Sequence, residues 1–559
     1  KTKVLPAACC AKQNPFFLDE DAIAWVKSTF DAMTLEEKIG QIILDGSTEL
    51  VNEKRPLELS GFHRMVTHSP EQLVASAGQM QKNAKIPVLL SADMDHLSYS
   101  NNSQGTPFTN QMGVAACDDP AIAEKMGIVA ARECKALGFN WSFTPVVDIN
   151  YNFKSPIVNI RSFGSDPDKV LRMASAYVKG MQKEGVAACL KHWPGDGMDD
   201  RDQHNITSIN SMDMESWRNS YGKVYKQLIE EGVMSIMSAH ISLPAYYREK
   251  DPDFPFEKIL PGSLSKELNQ ELLRGELGFN GLIITDASIM GGYNANGNRR
   301  ELLPMSIESG CDMLMFVKNY EEDIAALKDG IREGKLSEKR LDEAVIRVLG
   351  LKAALHLHQR RQRNEEAPTE TEQAYLGCSE HQRWLLETVE KSITLVKDAQ
   401  KLLPLSPDKY KRILLIQGKA NGQFGDEKEL GFEKHLRDQG FSVEVYDHKL
   451  HTAAEFDLVI FAVARECIMV RDNTRIDMID LMGDIMCAMD RYFGEIPSLF
   501  VSFGSPYHLY DFPHCKTYIN AYSSVEPVKK AVAEMLAGKK TFQGKNPVDP
   551  FCGLESTRF

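Results

Sequence analysis

At 559 residues the chain is too long for one hydrophobic core, and its sequence fits two domains best. The net charge of −13 is spread rather than blocked, and no basic tract interleaved with aromatics occurs, which argues against a nucleic-acid surface. No apolar run reaches the length of about 18 residues that a membrane-spanning helix needs.

The N-terminal KTKVLPAACC holds too short an apolar stretch for a secretory signal, and a lipid anchor at Cys9 would need a hydrophobic segment before it. Eleven cysteines lie without metal-ligand spacing, several of them inside apolar runs such as VAACLKH and ESGCDMLMF. They read as small core residues of a reducing compartment. The expected location is the cytoplasm, with a lipid-anchored or exported form left open because the sequence does not begin with Met.

Along the first part of the chain, short apolar runs end in an ionisable residue: IPVLLSAD at Asp93, SFTPVVD at Asp148, VAACLKH at His192, VMSIMSAH at His240, GLIITD at Asp286 and MLMFVK at Lys318. Roughly 30 to 55 positions separate them, room for a loop, a crossover helix and the next parallel strand. Helices are announced between them, with Asp119 capping and Pro120 opening one, and Asp166 and Pro167 doing the same for the next. The pattern predicts an N-terminal (β/α)8 TIM-like barrel over residues 1–355, with the ionisable strand ends gathered at one mouth. The polar stretch His356–Gln373, which includes Pro368, reads as a connection, placed at 356–383. Beyond it RILLIQG, FSVEVYD, FDLVIFAVA, SLFVSFGS and TYINAYSS alternate with helical patterns. This predicts a smaller α/β sandwich domain with a mostly parallel sheet over 384–559. Without a GxGxxG or Walker sequence, nucleotide binding has no support.

The segment Lys191–Asn205, KHWPGDGMDDRDQHN, is the richest in chemistry. An apolar strand over Val186–Leu190 carries Lys191 and His192 out at its end, and a loop can return Asp202 and His204 over them. In an extended segment residues two apart point the same way, so Asp202 can orient the His204 imidazole. Asp286 and Asp93 are strand-end carboxylates. Each reads as a nucleophile or general base, or as a sugar-hydroxyl acceptor, and such acids across a cleft suit glycosidic-bond cleavage.

These residues resemble the family 3 glycoside hydrolases, in particular the two-domain β-N-acetylglucosaminidase (β-N-acetylhexosaminidase) branch, whose loop reads KHFPGHG followed by DSH. Here the loop is KHWPGDG followed by DQH, and MTLEEKIGQ, FTPVVDIN, NIRSFGSDP, SAH and LGFNGLIITDASIMGG match in family order. SITLVKD, VSFGSPY and AYSS extend the likeness into the second domain. The resemblance implies a retaining exo-β-glycosidase for terminal β-N-acetylglucosamine, with Asp286 as nucleophile, His204 as acid/base and Asp202 as its partner. It implies that Asp93, Arg161, Lys191 and His192 grip the sugar, with no metal or cofactor. The expected partner is a small carbohydrate, and a homodimer is open. Departures are DMDHL at Asp93–Leu97, Asn101 in place of an arginine, Asp196 in place of the second histidine of PGHG, and TDAS at Thr285–Ser288. They are expected to remodel the sugar pocket and its charge.

Three other readings stand beside this one. A metal-dependent hydrolase would use His192, His204 and His240, although no HxH or HExxH spacing occurs. A phosphorylase is open because an imidazole acid/base does not repel an incoming phosphate as a carboxylate would. A non-catalytic sugar-binding homologue would have little use for a nucleophile and a proton donor. Tyr507 and Tyr522 read as core or domain-contact residues.

Overall fold

The computed structural model describes residues 12–47, 59–64, 68–94, 104–421, 427–449, 455–470, 473–489 and 495–558. Eight parallel strands close a barrel in chain order: β1 (Ile43–Ser47), β2 (Gly61–Arg64), β3 (Leu89–Ala92), β4 (Trp141–Ser142), β5 (Ala187–Trp193), β6 (Ser235–Ser238), β7 (Leu282–Ala287) and β8 (Met313–Met315). β8 pairs with β1 to complete the ring. Strands buried on both faces read as continuous apolar runs, which is why β3 and β5 to β8 were legible, whereas β4 is only Trp141–Ser142 and the run SFTPVVD read as its strand lies mostly beyond it. β1 and β2 were not legible, because their runs are interrupted by the buried polar residues Asp45, His63 and Arg64.

Two barrel helices begin where the sequence placed them. α1 (Pro120–Ala136) takes a hydrogen bond from Ala121 N–H onto Asp119, and α2 (Pro167–Lys183) takes one from Asp168 N–H onto Asp166. Each cap satisfies a backbone donor that the first turn leaves without an intrahelical acceptor. The barrel interior is filled by side chains: Trp141 donates its indole N–H to Ser235 Oγ at 2.8 Å, and Phe143 stacks on the His63 ring at 5.1 Å. At the opposite end from the mouth, Asp312 accepts from Arg274 and Arg340 at 2.6 Å each.

The stretch read as a connection holds two short helices, Leu357–Gln362 and Glu370–Gln373, before the longer α3 (Ser379–Ser392). The second domain is a six-stranded sheet of β9 (Thr394–Asp398), β10 (Ile413–Gln417), β11 (Val443–Val445), β12 (Leu458–Val463), β13 (Ser498–Ser502) and β14 (Thr517–Asn520). Its spatial order is β9, β14, β13, β12, β10, β11, with only the β9–β14 pair antiparallel.

Polar clamps join the two domains. Lys125 and Arg132 of α1 pair with Glu387 and Glu380 of α3 at 2.6 and 2.8 Å. Buried Glu133 accepts from Thr106, Gly377 N–H and the His381 ring. Asn110 donates to the Tyr522 carbonyl at 2.5 Å, which makes that segment a domain contact.

Candidate active site

The strand ends converge as the barrel rhythm predicts. Strand β5 runs three residues past Leu190, so Lys191 and His192 belong to the strand itself. Lys191, only 3% exposed, donates to Asp93 Oδ1 at 2.7 Å across the mouth. The other Asp93 oxygen lies 3.6 Å from His63 Nε2, and His63 Nδ1 is 3.0 Å from Ser91 Oγ. A buried ammonium needs such a carboxylate, because desolvation alone would strip its charge. His192 is oriented by Asp148: its ring Nδ1 is 2.6 Å from Asp148 Oδ2, and Asp148 Oδ1 accepts the His192 and Asp196 backbone N–H groups. Burial opposes the charge on Asp148, but His192 beside it and these hydrogen bonds hold the carboxyl below its usual range.

Asp286 ends β7 and is 7% exposed. Burial pushes its carboxyl up, yet His192, His240 and His204 nearby and the Ala287 N–H at 2.7 Å outweigh it and lower the pKa. The group is an ionised carboxylate at neutral pH, the state a nucleophile requires. His240 is locked away from ligation: Nε2 lies 3.0 Å from the Ala287 carbonyl and Nδ1 2.9 Å from Ser263 Oγ. Donation to the carbonyl fixes the tautomer, and burial lowers its pKa. With both nitrogens engaged it has none left for a metal, and among the described residues no group of three or more His, Cys, Asp or Glu has metal-site geometry.

The Asp202–His204 pair forms as the D-x-H spacing suggests. His204 Nδ1 is 2.6 Å from Asp202 Oδ1, which also accepts the His204 backbone N–H at 2.9 Å. The second Asp202 oxygen accepts the Val470 N–H at 2.8 Å, a donor supplied by the second domain. Burial raises the Asp202 pKa, but the hydrogen bond and charge of His204 dominate and hold it down. The loop is pinned rather than free-swinging: Gly291 N–H donates to the His204 carbonyl at 2.8 Å, and Gln203 Oε1 accepts His240 N–H at 2.9 Å. Gly292 permits this contact, since a Cβ there would sit 2.4 Å from the Gln203 carbonyl oxygen. The PGDG turn is equally constrained. Gly197 has φ +106°, and a Cβ there would meet the Ile149 carbonyl at 2.0 Å.

Arg161 lies on the single helical turn Asn159–Arg161, where it donates to the Ile157 carbonyl at 3.3 Å. Asp95–Leu97 and Asn101 lie outside the described residues. The TDAS segment ties strand ends together: Thr285 Oγ1 accepts Met315 N–H, and Ser288 Oγ donates to the Phe316 carbonyl. Sequence reasoning gave no role to Asp148, His63 or Val470. Asp148 was visible as a strand end, but its partner is fixed only by the adjacency of β4 and β5.

Asp196 alters the expectation that it changes the charge of the pocket. It is buried, and that burial, reinforced by the Asp148 charge, pushes its carboxyl well above the usual range, so it is held neutral. The folded state thus keeps a proton that the unfolded chain releases above pH ~4, and stability falls as pH rises through that window toward the folded pKa. Asp196→Asn, of the same shape but without the ionisation, is expected to melt higher than the parent at pH 7.5, with the gap closing toward pH 4. Thermal melts across that range check this, and a gap independent of pH would contradict it.

An ionised carboxylate within electrostatic reach of an Asp–His pair at the end of a closed barrel's strands fits an enzyme of the glycoside-hydrolase class. The chain belongs to glycosyl hydrolase family 3: residues 23–351 match the model described as the glycosyl hydrolase family 3 N terminal domain. It is 36% identical over 563 residues to a β-N-acetylglucosaminidase/β-glucosidase of Cellulomonas fimi, an alignment covering 97% of this chain and 98% of that one. A β-hexosaminidase A of Pseudoalteromonas piscicida is 28% identical over 367 residues, 61% of this chain and 60% of the relative. Among solved structures, a β-glucoside phosphorylase BglX superposes with a TM-score of 0.91 at 39% identity, covering 98% of this chain and all of that one. A β-N-acetylglucosaminidase from Paenibacillus sp. str. FPU-7 shares the fold, with a TM-score of 0.81 at 23% identity over 94% of this chain and 100% of that one.

Proposed function

We propose that the chain is a retaining, exo-acting β-glycosidase that removes terminal non-reducing β-N-acetylglucosamine or β-glucose by double displacement. The observation that carries this is the Asp202–His204 pair, whose imidazole lies close enough to the ionised Asp286 to lower its pKa. Asp286 attacks the anomeric carbon. As the glycosidic C–O bond breaks, His204, with Nδ1 held by Asp202, delivers a proton from Nε2 to the leaving oxygen. In the second step His204 takes a proton from the acceptor, which displaces Asp286. Asp93, Lys191, His192 and Arg161 hold the ring hydroxyls, and the Lys191–Asp93 pair offers a charge-assisted donor and acceptor together. The named activity of the C. fimi relative supports both glycones. All the described cysteines are free, which supports a reducing, cytoplasmic setting.

A second reading concerns the acceptor. The solved structure described as a β-glucoside phosphorylase is alike over the whole chain, and a neutral imidazole base lets a phosphate dianion approach where a carboxylate base would repel it. The test is turnover of 4-nitrophenyl β-N-acetylglucosaminide and β-glucoside with and without millimolar phosphate, with products separated. Free sugar at an unchanged rate identifies water as acceptor. Sugar 1-phosphate with a rate rising with phosphate identifies a phosphorylase, and no turnover of either glycoside overturns both.

A further inference from the structure

A second cavity, of about 280 Å³, lies between the domains and outside the strand-end site. Phe153 enters it from the barrel, Tyr507 and Tyr510 from the second domain, and Asp200 belongs to the loop that bears the dyad. The three rings form a cluster, with Phe153 centroids 6.0 Å from Tyr507 and 5.0 Å from Tyr510. Arg475 covers the Tyr510 ring at 4.8 Å while donating to Asp511, so its charge is already neutralised. The polar groups here are short of partners. His508 is 1% exposed and its Nε2 has no hydrogen-bond partner among the described residues. Thr474 Oγ1 and Ser505 Oγ each accept from Asn159 Nδ2, at 3.2 and 3.1 Å, which leaves their hydroxyl protons to donate elsewhere. A buried nitrogen left this way is costly unless something fills the need.

The cavity adjoins the reaction centre by covalent connection. Asp200 is two residues before Asp202, a span of at most ~7 Å. Asn159, which reaches the Thr474 and Ser505 wall, is two residues before Arg161. The second-domain segment that gives Val470 N–H to Asp202 continues to Asn473–Arg475 on the cavity wall. Aromatic faces with a few unsatisfied donors and acceptors, flanked by Lys154 and Asp200 as further hydrogen-bonding groups, suit a polyhydroxylated ring. The volume is close to the lower end of the ~300–1,000 Å³ usual for small-molecule pockets.

We propose that this cavity is a distal subsite for one sugar ring on the leaving-group side of an oligosaccharide substrate, with Phe153 and Tyr510 as its platforms and His508 as a hydrogen-bond partner. The proposal rests on the glycosidase reading above. The test compares kcat/KM for a 4-nitrophenyl β-glycoside with that for β-1,4-linked trisaccharides of glucose and of N-acetylglucosamine, in the parent and in Tyr510→Ala, Tyr510→Phe and Phe153→Ala. Both alanine variants are expected to lose roughly 10- to 50-fold on the trisaccharide and under twofold on the aryl glycoside, with Tyr510→Phe near the parent. Equal losses on both substrates, no loss on either, or a parent that cleaves the aryl glycoside and neither trisaccharide would overturn the subsite. A parent inactive on every aryl glycoside overturns the glycosidase reading instead. The cavity is then judged by calorimetric titration of the trisaccharides: binding lost in Tyr510→Ala upholds a sugar site, and no binding to the parent removes it.

Discussion

Asp286→Asn is expected to lower kcat by at least ~10⁴-fold, about 5.5 kcal/mol of barrier, without loss of fold. The amide matches the carboxylate in shape and keeps an oxygen to accept the Ala287 N–H, so the strand end stays in place. What is lost is the negative charge that three surrounding histidines stabilise, and with it the covalent intermediate. The companion measurement uses Asp286→Ala, which leaves space for an external nucleophile. With azide this variant is expected to convert an aryl β-glycoside into the α-glycosyl azide, identified by NMR. An Asn variant within tenfold of the parent would assign the nucleophile elsewhere.

The second large effect separates His204 from Asp286 by its dependence on the leaving group. Proton donation contributes typically ~10²–10⁴-fold, and most where the leaving oxygen is basic. His204→Ala is therefore expected to cost roughly 10³-fold on an alkyl glycoside or disaccharide but far less in the first step of 4-nitrophenyl glycoside cleavage, where the phenolate leaves unaided. A burst of nitrophenol followed by slow turnover is the expected stopped-flow trace, because the second step still needs a base. Asp202→Asn keeps the ring but weakens its anchor and removes the charge that holds it. Its loss is expected to be smaller, with the same dependence. Equal losses across leaving groups would rule out an acid role for His204.

How far this was legible depended on how local each interaction is. The Asp202–His204 pair could be read from the sequence because its members are two residues apart and bond through one loop conformation. The barrel could be read because strands covered on both faces need apolar runs, and those runs recur. β1 and β2 escaped because Asp45, His63 and Arg64 are polar residues buried within them, so no apolar run marks them. The antiparallel β9 escaped as well, since TLVKD is half-exposed and short. Pairings made across the barrel wall, such as Asp148 with His192 or, two strands apart, Lys191 with Asp93, exist only once the barrel has closed. The Val470 bond was out of reach in two ways: its donor is a main-chain N–H, which no residue type announces, and it lies 268 positions from its acceptor.

That bond has a mechanical consequence. Val470 has φ +69°, where a β-branched side chain is disfavoured at a cost of about 1–3 kcal/mol, and it is held there on the outer domain while its N–H reaches the carboxylate behind the proton donor. His204, the proposed general acid, is thus trued by a strut anchored on another folding unit. On the roles proposed above, a shift of the outer domain by an ångström would detune both proton transfers of His204 while leaving Asp286 in register, so the seam between the domains is a control surface for proton transfer.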